Sequence, residues 1–143
     1  MKGLLLLSHG GLAKGLYETT TWFFGDNIEQ CDYLSLMADD SVDDFTDKIV
    51  EKVKQLDSGE GVVIMCDLFG GSPFKCALAS VLTNENIKLV TGMNLPMVME
   101  FLGERLCGDY DFEGLIKSAR EGIIDFLAND NECQDDESKW FIQ

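Results

Sequence analysis

The stretch LLLLSHGGLAKGL, residues 4–16, decides how the chain is read. Four consecutive leucines leave no polar alternate for solvent, so Leu4 to Leu7 predicts a strand covered on both faces. The run stops at Ser8-His9-Gly10-Gly11. Apolar residues then return at Leu12, Leu16, Phe23 and Phe24, roughly helical spacing that closes at Gly25-Asp26. A buried strand feeding a helix is the first half of a βαβ unit.

The rest of the chain repeats that unit. Residues 31–37 alternate weakly and predict a second strand. After the capping cluster Asp39-Asp40-Ser41, Val42, Phe45, Ile49, Val50, Val53 and Leu56 trace one helix face. Residues 61–66, GVVIMC, follow the turn at 58–61 as a third strand. Ser72 and Pro73 then open a helix running to about Leu82. A fourth strand covers Ile87 to Thr91, a helix runs from the Asn94-Leu95-Pro96 turn through Leu106, and a last helix is predicted over Phe112 to about Ala128. The fold class is therefore α/β, an open and mainly parallel doubly wound sheet of about four strands with helices on both faces. Residues 1–129 read as one domain and 130–143 as an acidic tail.

Composition narrows the function. The 143 residues are 45% apolar, enough for a core, and carry 11 basic against 26 acidic residues, a formal charge of −15. That balance argues against nucleic acid or an anionic membrane surface as a partner. No apolar run approaches the roughly 18 residues of a membrane span. The lysine and leucines at the start are too short for a signal peptide and lack a cleavage site. The expected location is the cytoplasm. Five scattered cysteines without a CxxC disfavour a disulfide framework or a metal site.

His9 is the only histidine, and Asp67 lies 58 positions later. Each follows a predicted strand, at the end of the sheet where open α/β proteins build their sites. A lone histidine is often incidental and Asp67 alone reads equally well as a cap. Together they make a chemical pair: a carboxylate on one ring nitrogen fixes the tautomer and leaves the other nitrogen nucleophilic. Attack of such a nitrogen on phosphorus needs no metal and no organic cofactor. The glycines at 70 and 71 precede Ser72, a helix start able to hold phosphoryl oxygens. The chain has no GxxxxGK[ST], no GxSxG and no GxGxxG after its first strand. Asn94 reads either as turn chemistry or as part of a rim around His9. Phe69 reads either as core or as a docking residue.

Taken in order, these loops resemble the IIA component of the mannose family of the bacterial phosphoenolpyruvate:sugar phosphotransferase system. The matching residues are Ser8-His9-Gly10 with Leu12-Ala13 and Gly15-Leu16, then Asp67 through Pro73. Gly92 through Met97 with Glu100, and Ala119 through Ile123, complete the match. The resemblance covers residues 2 to 128. It implies that His9 takes a phosphoryl group from the histidine-containing phosphocarrier protein and passes it to a IIB component of a sugar transporter. Asp67 would orient the imidazole, and Gly70, Gly71 and Ser72 would lie beside the phosphoryl group. It also implies a homodimer that exchanges an antiparallel edge strand, to be sought between residues 107 and 129, within a membrane-associated complex. Ending soon after its last helix, the chain would be a stand-alone IIA subunit. Two other readings stand beside this one: a regulatory module with a phosphorylatable His9, and the phosphotransfer subunit of dihydroxyacetone kinase. The Gly70-Gly71-Ser72-Pro73 and Asn94-Leu95-Pro96 loops favour the sugar branch.

Overall fold

A computed structural model describes residues 1–108 and 110–128. Its elements run β1 (Gly3–His9), α1 (Leu12–Phe24), β2 (Cys31–Leu36), α2 (Val42–Leu56), β3 (Val62–Cys66), α3 (Ser72–Thr83), β4 (Ile87–Val90), α4 (Leu95–Cys107) and α5 (Phe112–Glu121). The four strands are all parallel, in the order β2-β1-β3-β4.

The leucine run explains itself in this arrangement. Leu4 and Leu6 face one layer, where Ala13 of α1, Met97 and Phe101 of α4 and Leu115 of α5 cover them. Leu5 and Leu7 face the other, against Phe45 and Ile49 of α2 and Cys76 and Ala77 of α3. All four leucines are wholly buried, each a gain of roughly 2 kcal/mol over exposure. Alternation is absent because β1 is central and has no solvent face.

The strand order also places the site. From β1 the chain crosses through α1 to β2 on one side, and from β3 it crosses through α3 to β4 on the other. Right-handed crossovers in opposite directions put α1 and α3 on opposite faces of the sheet. The loops leaving β1 and β3 therefore diverge, and a crevice opens between them at the carboxyl ends of the strands. His9 is the last residue of β1, opposite Leu36. Asp67 is the first residue after β3.

Two expectations need correction. The last helix ends at Glu121, not near Ala128. Gly122 packs so closely on α4 that a Cβ there would lie 2.6 Å from Pro96 Cγ. Beyond it Ile123, Ile124, Phe126 and Leu127 stay largely exposed, so a further helical turn would have no buried stripe to stabilise it. No strand occurs among the described residues of 107–129. The segment predicted as an acidic tail, 130–143, lies outside the described residues. Among those described, no helix is long and apolar enough to cross a membrane.

Candidate active site

His9 and Asp67 meet in the crevice. Asp67 Oδ2 accepts two hydrogen bonds, one from the His9 backbone N–H and one from ring Nδ1, both at 2.9 Å. The second contact makes Nδ1 the protonated nitrogen of a neutral ring and leaves the Nε2 lone pair free. Burial of Asp67 works against its ionised form. The bonds from the ring and backbone of His9, with the charge the imidazole carries when it is protonated, outweigh that cost and hold the carboxyl below its ordinary value. The His9 side chain is 47% exposed and that of Asp67 only 13%. The carboxylate is set in the protein wall and the imidazole stands out from it.

Gly71 borders the free side of the ring. A Cβ on Gly71 would lie 2.7 Å from His9 Cε1 and 3.2 Å from Nε2. Only a residue without a side chain allows the α3 backbone to come this close. Gly71 is the N-cap of α3 and Ser72 its first residue, with Pro73 in the first turn. The unbonded amides of that turn and the positive end of the helix dipole are thus next to Nε2. Gly70, with φ +79°, supplies the left-handed step that turns the chain into this approach; the space beside it is open.

The structure brings His9, Asp67 and Gly71 into contact, with Ser72 and Gly70 flanking. It does not place Asn94 on the rim. Asn94 Oδ1 accepts from Met97 N at 2.9 Å, capping α4, and its Nδ2 donates to Ala119 O at 3.0 Å. Turn chemistry accounts for it fully. Phe69 is not core: it is 75% exposed, resting one ring face on Phe74 at 5.0 Å between centroids. Leu12, Met37, Val42 and Leu68 are exposed too. All five sit in loops or first helical turns at the carboxyl ends of the strands. Spacing put Leu12 and Val42 on the apolar stripes of their helices and gave no signal for Met37; at the first residue of each helix, beyond the cover of the sheet, both are half exposed.

The wider cavities lie elsewhere. One of about 530 Å³, lined by Lys2, Glu60, Asn86, Arg105 and Tyr110, opens at the amino ends of the strands, the opposite side of the sheet. Among the described residues no cluster of histidine, cysteine and carboxylate side chains could hold a metal ion. His9 lines none of these cavities and its side chain is half exposed.

A parallel doubly wound sheet carrying a carboxylate-held histidine at its switch point defines the class: an α/β protein whose one imidazole stands half exposed at the carboxyl ends of its strands. The chain belongs to the EIIA-man family, the PTS system fructose IIA component, whose model matches residues 3–119. It is 27% identical over 124 residues to the PTS system mannose-specific EIIAB component of Escherichia coli (strain K12), an alignment covering 84% of this chain and 38% of that protein. The chain thus spans well under half the length of that relative. Among solved structures it is similar to the PTS IIA protein associated with the fucose utilization operon of Streptococcus pneumoniae, with TM-score 0.79 and 28% identity over 90% of this chain and 95% of that one. It is likewise similar to the phosphotransferase system component EIIA of Streptococcus agalactiae, with TM-score 0.78 and 25% identity over 90% and 99% of the two chains.

Proposed function

We propose that this protein carries a phosphoryl group on His9 between two other proteins of a sugar phosphotransferase system. The observation that carries the reading is the orientation of the imidazole: Nδ1 is tied to Asp67 Oδ2 at 2.9 Å while Nε2 faces Gly71 at the start of α3. In the forward step the Nε2 lone pair attacks phosphorus on the histidine of the phosphocarrier protein. The N–P bond of the donor breaks, its electron pair returns to the donor ring, and a new Nε2–P bond forms. The His9 ring gains positive charge, which the Asp67 carboxylate offsets without moving. Ser72 and the backbone at Gly70 and Gly71 balance the phosphoryl oxygens. The reverse of this step, onto a IIB component, empties the site.

Positioning supplies most of the catalysis, since no proton has to be moved to make Nε2 nucleophilic. The open setting of His9 and the apolar ring of Leu12, Met37, Val42, Leu68 and Phe69 support protein partners over a small substrate. We assign residues 1–129 to the carrier domain and its place of action to the cytoplasm. A homodimer is supported by the position of β4 at the edge of the sheet and by exposed Ile123, which lines a groove of about 400 Å³ with Leu89, Phe112 and Ile116. Sedimentation equilibrium of the intact chain tests it.

Reconstitution tests the carrier reading. The protein is incubated with phosphoenolpyruvate, enzyme I and the phosphocarrier, and acid-labile phosphate is measured on wild type and on His9→Ala. Label on wild type alone, lost on adding a IIB protein, is the expected result. No label on wild type, or equal label on His9→Ala, overturns it. Label that no IIB protein removes favours a regulatory module.

A further inference from the structure

Ser8 is a polar side chain with no exposed surface, at the end of a strand of leucines. Its hydroxyl does two things at once. It donates to Gly10 O at 3.0 Å and accepts from Ala13 N at 2.7 Å. The second bond takes the place of a helix cap. The N-cap of α1 is Gly11, which has no side chain to offer, and the orphan amide of the first turn is satisfied from three residues further back. Gly10 sits in the left-handed region at φ +56°, and its own N–H donates to Leu36 O at 2.8 Å. The turn that follows His9 is therefore fastened at three points, two of them by Ser8.

These fastenings bear directly on the imidazole. His9 has to present its backbone N–H and its Nδ1–H to one oxygen of Asp67, and keep Nε2 against Gly71. The N–H belongs to the Ser8–His9 peptide and the ring hangs from the His9 Cα, so both follow the chain on either side of His9, at Ser8 and at Gly10. We infer that Ser8 is a positioning residue for His9: through Gly10 O and Ala13 N it fixes the turn that keeps Nδ1 on Asp67 and Nε2 outward. This deepens the carrier reading and, for its kinetic consequence alone, rests on it. Without the hydroxyl, Gly10 O and Ala13 N lose their partner in a buried place. The turn relaxes to pair them elsewhere, and the ring moves with it.

The test compares Ser8→Ala, Ser8→Thr and Ser8→Cys with wild type. Threonine keeps the hydroxyl. Cysteine fills the space with sulfur, a weak donor and acceptor, and so separates loss of the bonds from loss of volume. The first readout is the imidazole itself, from long-range proton–nitrogen NMR. Wild type and Ser8→Thr should show one tautomer, protonated at Nδ1, whereas Ser8→Ala and Ser8→Cys should show a mixed population. The second is the rate of phosphorylation by the phosphocarrier, expected to fall between about 10- and 100-fold in those two variants, the scale for displacing a reacting group by up to about 1 Å. Thermal melts identify any variant that fails to fold, and Ser8→Cys stands in for Ser8→Ala if that one does. A single unchanged tautomer in the variants lacking the hydroxyl, or equal losses in Ser8→Thr and Ser8→Ala, overturns the assignment. A wild type that shows the single tautomer but takes no phosphate refutes the carrier reading and leaves the role of Ser8 to the NMR comparison.

Discussion

Gly70 and Gly71 are neighbours with opposite reasons for being glycine, and two alanine substitutions separate them. At Gly71 the backbone, φ −73° and ψ 175°, is one that any residue adopts. Alanine therefore costs nothing in backbone strain, and the whole effect comes from its Cβ. That atom would lie 2.7 Å from His9 Cε1, against the 3.5–4.0 Å at which carbon atoms pack. The ring has to retreat by about 1 Å. It is half exposed and free to swing toward solvent, so the fold survives, losing about 1–2 kcal/mol as the Nδ1 bond to Asp67 lengthens. The rate of phosphorylation should drop about 100-fold, equivalent to about 2.7 kcal/mol of barrier. At Gly70 the geometry is reversed. Its φ of +79° penalises alanine by roughly 1–2 kcal/mol, but nothing lies within 4 Å of the new Cβ. Gly70→Ala should lower the melting temperature about as much as Gly71→Ala while transferring phosphate within a few-fold of wild type. The assay is stopped-flow or quench-flow transfer from phosphorylated carrier protein, paired with thermal melts. If Gly71→Ala transfers at the wild-type rate, or if both variants lose rate in proportion to stability, the argument from close approach to the ring is wrong.

Three further outcomes follow from groups away from that contact. The Asp67 carboxyl titrates lower in the folded than in the unfolded chain, so its contribution to stability is complete above about pH 4 and is lost as the pH falls through the depressed folded value. The difference in urea midpoint between wild type and Asp67→Asn should thus be flat near neutrality and shrink in acid; a difference that widens in acid would count against the pairing. Arg105 is buried under α4 and donates to Lys2 O at 2.9 Å, to Gln30 O at 3.1 Å and to Glu29 O. Arg105→Met should cost about 3 kcal/mol in urea unfolding and leave phosphorylation unchanged, because these carbonyls lie at the far end of the sheet; a cost under about 1 kcal/mol would contradict it. Burial pushes the Cys31 thiol up to about 12 and, with the Asp67 charge, the Cys66 thiol up to about 11. Maleimide at pH 7 should therefore modify exposed Cys107 promptly and spare Cys31 and Cys66 until the protein is unfolded, as peptide mass mapping will show.

The sequence was most legible where one physical cause dominated. Leu4 to Leu7 had to be a doubly covered strand, and two such strand ends carrying His9 and Asp67 had to meet if the sheet reversed between them. Other features were hidden because their causes are not local. Ile123, Ile124, Phe126 and Leu127 look like the continuation of an amphipathic helix, but beyond Gly122 nothing covers them and the helix stops. The approach of Gly71 to the imidazole joins positions 62 apart and depends on how α3 leaves the sheet. Arg105 was invisible for the same reason: its partners are carbonyls, which every residue has. Asn94 misled in the other direction, since a capping residue beside a strand end carries the same letters as a site residue.

Under the proposed function, the two hydrogen bonds that Asp67 Oδ2 accepts from His9 limit how the carrier works with its neighbours. A histidine tied by both its ring and its backbone to one oxygen cannot travel from a loading station to an unloading one. The swinging-arm strategy, in which a tethered group visits several sites, is closed to it. Donor and acceptor must each come to the same few side chains, and while one is there the other is shut out. What changes at that single doorway between the two visits is the charge of the phosphoryl group, and the partners have to tell loaded from empty there.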